Sequence, residues 1–235
     1  MSFHIGYAQA RIQARYALLP NESLWLHMGA LNELASFIEA ARSTSIAHWV
    51  KGLSVTNTAT EIENSIRRTM DTTISETASW FSPAWQPAFA WLSTLSDLPE
   101  LQYVSRKSLP AEGRVSDLLM AKLSDSDYED DELLDLWVAI WRSTWPKVSR
   151  ENLQGLETLL EILIQHWRTF PTLTAEQSWA ARQELETRLR FFFRRHILQP
   201  SMAFTYLSLV ALSLERLQAE LLHRALFDGQ AKAAA

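Results

Sequence analysis

Apolar residues recur along this chain at spacings of three and four, the period of one helix face. The clearest run is Leu207, Val210, Leu214, Leu217 and Leu221, the seam of a packed helix. Trp179, Leu185, Leu189, Phe192 and His196 form a comparable stripe before it, and Leu153, Leu156, Leu160 and Leu163 another before that. Three consecutive stripes with short connections predict an antiparallel bundle in the C-terminal third. At the other end, Ile5, Ala8, Ile12, Tyr16 and Leu19 share one face while Gln9, Arg11 and Gln13 fall elsewhere. That pattern predicts a small-residue amphipathic helix able to pack closely.

The same reading predicts helices over 4–18, 23–42, 45–51, 58–81, 84–95, 97–106, 114–123, 129–144, 150–169, 174–197 and 201–227. Asn21-Glu-Ser23 and Thr58-Ala-Thr60 supply N-cap side chains, and Glu61 and Glu63 sit well against the N-terminal dipole of the helix they open. Pro83 and Pro200 fall in first turns, where a missing N–H costs nothing. Between about 103 and 131 the chain turns polar, with Ser105 to Gly113 and then the acidic run from Ser124 to Glu132. The expected organisation is an N-terminal helical bundle over 1–105, a polar connecting region with a short helix over 106–130, and a C-terminal helical bundle over 131–235.

Composition sharpens the fold class. Six glycines and eight prolines in 235 residues are few breakers, which favours helices over many short strands. An all-α, multi-helix fold is expected, long enough to bury a substantial core. Ten tryptophans would serve mainly as large apolar bodies, each with an N–H to satisfy. A net charge of −5 argues against non-specific nucleic-acid binding, which needs a basic surface. Cysteine is absent, which removes disulfides, thiolate nucleophiles and cysteine metal sites. No basic segment followed by an apolar one opens the chain, so no signal peptide is expected. The longest uncharged apolar-rich stretch near the C-terminus, Ser201 to Leu214, is too short to span a bilayer, and a soluble protein is expected.

Candidate chemistry is sparse. A calcium loop beginning at Asp125 needs Gly at its sixth position and Glu at its twelfth, where Asp130 and Leu136 stand. The run 125–132 reads instead as a solvated helix start. A di-iron bundle needs two Glu-x-x-His motifs, and Glu220-Leu-Leu-His223 stands alone. His166 and His196 lie beside aromatic residues and read as core-edge or interface side chains rather than ligands. No phosphate-cradling, dinucleotide or nucleophile-elbow glycine motif occurs. No catalytic residue, cofactor or metal is expected. The strongest basic cluster is Arg188, Arg190, Arg194 and Arg195 around Phe191 to Phe193, either a solvated face or a contact surface for an acidic partner or lipid headgroups.

The order of residues carries a resemblance. Tyr7-Ala-Gln-Ala-Arg11-Ile-Gln-Ala-Arg15, then Leu18-Leu19 and a polar break, resembles the first helix of the central-stalk socket subunit of rotary ATPases. Members of that family serve the archaeal and bacterial A/V-type enzymes and the vacuolar V-type ATPases. Leu31 to Ala41 is similar to the family's second helix, and Thr60-Glu-Ile-Glu63 with Ile66-Arg-Arg68 and Phe81-Ser-Pro-Ala-Trp85 to the next long helix and its exit. Pro200, Tyr206, Glu215-Arg-Leu217 and Leu221-Leu-His-Arg224 are similar to its ending. Roughly the first hundred and last thirty residues are covered, with degenerate helical motifs. Family members are usually longer, with three related bundles around a funnel. Where they carry Asp before an Asn-Leu/Ile-Lys run, this chain has Asp97-Leu-Pro-Glu-Leu101, so a short, divergent member is expected.

The resemblance implies a non-catalytic, cytoplasmic, peripheral component that couples the rotor shaft to the membrane proteolipid ring of a proton- or sodium-translocating enzyme. Its partners would be the central-stalk rotor subunits and that ring, with Tyr7, Arg11, Arg15, Arg194 and Arg195 as interface candidates. The alternatives are a stand-alone helical interaction adaptor that kept the fold and, more remotely, a small-molecule or metal enzyme in a helical bundle.

Overall fold

A computed structural model describes residues 2–97 and 133–233. Among them are nine α-helices and three short 3₁₀ turns, and no strand. The helices are α1 (Ser2–Tyr16), α2 (Glu22–Gly29), α3 (Leu34–Arg42), α4 (Ala59–Ala78), α5 (Gln86–Leu92), α6 (Leu133–Ser143), α7 (Arg150–Thr169), α8 (Ala175–Arg195) and α9 (Ser201–Ala233). The all-α, multi-helix expectation holds. The helices expected over 97–106 and 114–123, the acidic run at 125–132 and the connecting region at 106–130 lie outside the described residues.

The chain divides into two compact units, one of residues 1–70 with 148–235 and the other of 71–147. This division cuts across the one expected at 105 and 131, because α1 and α3 pack on α9, at the far end of the sequence. Ala8 and Ile12 of α1 are buried, as are Leu207, Val210, Leu214, Leu217 and Leu221 of α9. α7 and α8 pack on each other and on α9. Leu156, Leu160 and Leu163 are buried on α7 and Leu185, Leu189 and Phe192 on α8, whereas Leu153 and Trp179, at the outer ends of their stripes, are exposed.

The second unit is built on indoles. Trp91 (α5) donates to the Trp137 carbonyl at 3.0 Å, Trp137 (α6) donates to Thr94 Oγ1 at 2.8 Å, and Trp141 donates to the Ala88 carbonyl at 3.1 Å. All three side chains are buried. Each indole therefore adds a satisfied N–H to the area it buries, and these bonds tie two helices far apart in sequence.

Three expected helices are corrected. The span 23–42 is two helices, α2 and α3, broken at 30–33. The span 45–51 is a series of turns. Ser43 and Thr44 stop α3, their hydroxyls donating to the Ala40 and Ala41 carbonyls at 2.7 and 2.8 Å, the local competition with helix that these side chains offer. Ile46, Trp49, Val50 and Leu53 are nonetheless buried along those turns. The span 84–95 is α5 flanked by 3₁₀ turns at Pro83–Trp85 and Ser93–Asp97. Caps fall where expected: Asn21 Oδ1 accepts from the Leu24 N–H at 2.9 Å, and Thr58 and Glu61 bond reciprocally as a capping box. No helix among the described residues is long and apolar enough to cross a membrane.

Candidate docking surface

The basic cluster on α8 separates into two pairs. Arg190 is half-buried: it pairs with Glu186 at 2.7 Å and reaches the Tyr16 hydroxyl at 3.5 Å and the Pro20 carbonyl at 3.4 Å. Burial opposes its charge, but the bonds to Glu186 and Tyr16 outweigh that and hold its pKa above the ordinary arginine value. Tyr16 stacks on Phe193 with centroids 4.1 Å apart. Arg188 donates to Gln165 Oε1 at 3.0 Å. These two arginines therefore fasten α8 to α1 and α7.

Arg194 and Arg195 face solvent, and among the described residues neither has an ion pair. Arg194 donates to the Arg190 carbonyl at 3.3 Å. Arg195 lies over the Phe191 ring at 5.6 Å. Phe191 is 57% exposed, Ile197 43% and Leu198 57%. The last turn of α8 and the residues after it thus present cations and apolar groups together. Leu198 sits at φ 71°, a left-handed conformation that normally selects glycine.

The α1 candidates lie elsewhere in the same unit. Tyr7 is 56% exposed, Arg11 is exposed with its guanidinium 5.8 Å from the Tyr7 ring, and Arg15 is half-buried.

The arginines of the C-terminal motif have roles that sequence reading missed. Arg216 holds Glu22 through two bonds, at 2.8 and 3.1 Å, and lies between the Trp25 and Trp179 rings at 4.9 and 4.6 Å. Arg224, with only 5% of its side chain exposed, pairs with Glu220 at 2.6 Å and donates to the Leu31 carbonyl at 2.7 Å. It also reaches the Met28 carbonyl and lies 4.3 Å over Phe37. It therefore bonds the Leu31 carbonyl in the turn after α2 and adds a partner to the Met28 carbonyl, so the break at 30–33 is braced by a residue almost two hundred positions away. Spacing along α9 marks neither arginine as anything but a face residue.

No acid–base constellation converges on one point among the described residues. His166 packs against Phe170 and His196 stacks on Phe192. His196 Nδ1 lies 2.7 Å from Gln199 Oε1, whose amide donates to Glu151 at 3.1 Å. That group wraps Gly155 of α7, where a Cβ would run into Gln199 and crowd Ser201 Oγ at 3.1 Å. Among the described residues no group of His, Asp and Glu could hold a metal ion. A surface depression of about 390 Å³ draws its lining, Glu161, Ile164, Gln165, Arg168 and Thr169, from one flank of α7. What the described surface offers is charge and apolar contact for binding.

No family model, no curated protein and no solved structure matches the chain.

Proposed function

We propose that this chain is a short, divergent socket component of a rotary V/A-type ATPase, joining the rotor shaft to the proteolipid ring during proton or sodium transport. One observation carries the reading. The resembling segments at 7–19, 31–41, 60–68 and 200–224 come from both ends of the sequence and fall in one compact unit, whereas that at 81–85 belongs to the other; the first unit is fastened through Arg216 to Glu22 and through Arg224 to the turn after α2. Such a socket works by transmitting force through shape and polar contact, which calls for a braced helical body with outward-facing charges and no reaction chemistry. The related bundles would form a funnel, peripheral to the membrane on its cytoplasmic side.

Tyr7, Arg11 and Arg15 on α1 and Arg194 and Arg195 at the end of α8 are the contact residues of this reading. Exposed cations give little intramolecular stability but steer association with acidic surfaces. The first prediction follows. Arg194→Glu/Arg195→Glu should leave the melting temperature within a few degrees, because surface changes alter stability by about 0.5 kcal/mol or less. The same variant should lose salt-sensitive binding to rotor-shaft subunits or proteolipid rings in a pull-down. Binding that survives while stability collapses would make these arginines structural and remove them from the interface. Wild-type protein that binds neither component would favour a stand-alone helical adaptor.

A further inference from the structure

The end of α8 combines features that the socket reading does not require. From Thr187 to Leu214 the sequence has no Asp or Glu, in a chain whose net charge is −5. Of the acids nearby, Glu186 pairs with Arg190, while Glu151 accepts from the neutral Gln199 amide and keeps its charge. Arg194 and Arg195 stand in a stretch of chain without acidic residues. Three exposed apolar side chains, Phe191, Ile197 and Leu198, bracket them within eight residues. Leu198 keeps its side chain outward at the cost of a backbone conformation that glycine would hold without strain, and an outlier of this kind points to a function that the strain serves.

We propose that this end of α8 docks directly onto an anionic membrane surface, the arginines meeting lipid phosphates and Phe191, Ile197 and Leu198 entering the headgroup layer. Cations beside aromatic and aliphatic side chains are the pattern of interfacial binding, in which buried apolar area and attraction to anionic lipid add. The guanidinium forks match lipid phosphates, and the apolar side chains beside them need no fixed register in a fluid headgroup layer. The inference deepens the socket reading and rests on it only for nearness to a membrane.

Sedimentation of the purified chain with vesicles tests it. The chain should pellet with phosphatidylcholine vesicles that contain phosphatidylglycerol, stay in solution with phosphatidylcholine alone, and be released by salt. Each surface cation is worth about fivefold in partitioning, so Arg194→Gln/Arg195→Gln should bind about 30-fold more weakly with an unchanged melting temperature. Leu198→Gly separates binding from folding, because it should raise the melting temperature by relieving the backbone while weakening vesicle binding. Equal partitioning of wild type and the double glutamine variant would overturn the proposal, as would unchanged binding of Leu198→Gly. Retention on immobilised polyglutamate without any binding to vesicles would overturn it in favour of an acidic protein partner. Vesicle binding involves no rotor component, so its failure is distinguishable from failure of the socket reading, which the pull-down tests.

Discussion

Two arginines of α9 show how far a residue's role can lie from its appearance in sequence. Arg224 is buried against Phe37 and serves carbonyls on the turn after α2 as well as Glu220. Removing one partner of such an arrangement strands the others, so Arg224→Ala should cost about 3 kcal/mol in urea unfolding, with Arg224→Lys recovering only part, since ammonium lacks the planar fork. The motif that contains Arg216 and Arg224 is visible in the sequence; their partners are not, because Glu22 and Leu31 lie at the opposite end of the chain. His166 makes a prediction in pH. Burial holds its pKa below the ordinary 6.5, outweighing the attraction of Glu215. The unfolded chain therefore takes up the proton first. Its contribution to stability is fully present above about pH 6.5 and declines as pH falls through the lower folded value. Thermal melts across that range should show the decline in wild type and a shallower one in His166→Gln. Glu22 acts in a more acidic window. Hydrogen bonding to Arg216 lowers its pKa below 4.5, and what it contributes is lost as pH falls from there.

At the scale of elements, repeated stripes were legible and interruptions were not. The α7, α8 and α9 seams follow from spacing alone, because burial of one face is what the 3.6-residue period records. The break between α2 and α3 and the turns over 45–51 depend on carbonyls captured by Arg224, Ser43 and Thr44, and apolar spacing carries no trace of them. The exposed turn at the end of α8 was half legible. Arg194 and Arg195 stand out as charges, while Phe191 reads as part of an aromatic run whose other members, Phe192 and Phe193, are buried. Two element-level changes should be measurable. Thr174 caps α8 in a reciprocal pair with Gln177, so Thr174→Ala should destabilise by about 1 kcal/mol in chemical denaturation. Trp137 is fully buried between Trp91 and Trp141, and Trp137→Ala should cost about 3–5 kcal/mol. Trp137→Phe, which keeps most of the apolar body and removes the indole bond to Thr94 while Thr94 still donates to the Trp91 carbonyl, should lose less.

At the scale of the molecule, the sequence conveyed an all-helical chain but not how its ends associate. Contact between α1 and α9 joins residues separated by nearly the whole length, and a window of local pattern contains no information about such pairing. The proposed coupling role draws support from that closure and from the outward-facing charges, and the sequence has no phosphate-cradling loop. Isothermal calorimetry with ATP should accordingly give no micromolar binding. The most direct test is purification of the tagged chain, expressed at its natural level, from gently solubilised membranes of its own cells. Stoichiometric recovery of a rotary ATPase's catalytic head, rotor shaft and proteolipid ring with the chain is the expected result. Recovery of an intact rotary ATPase that lacks this chain, with the chain isolated alone, would contradict it.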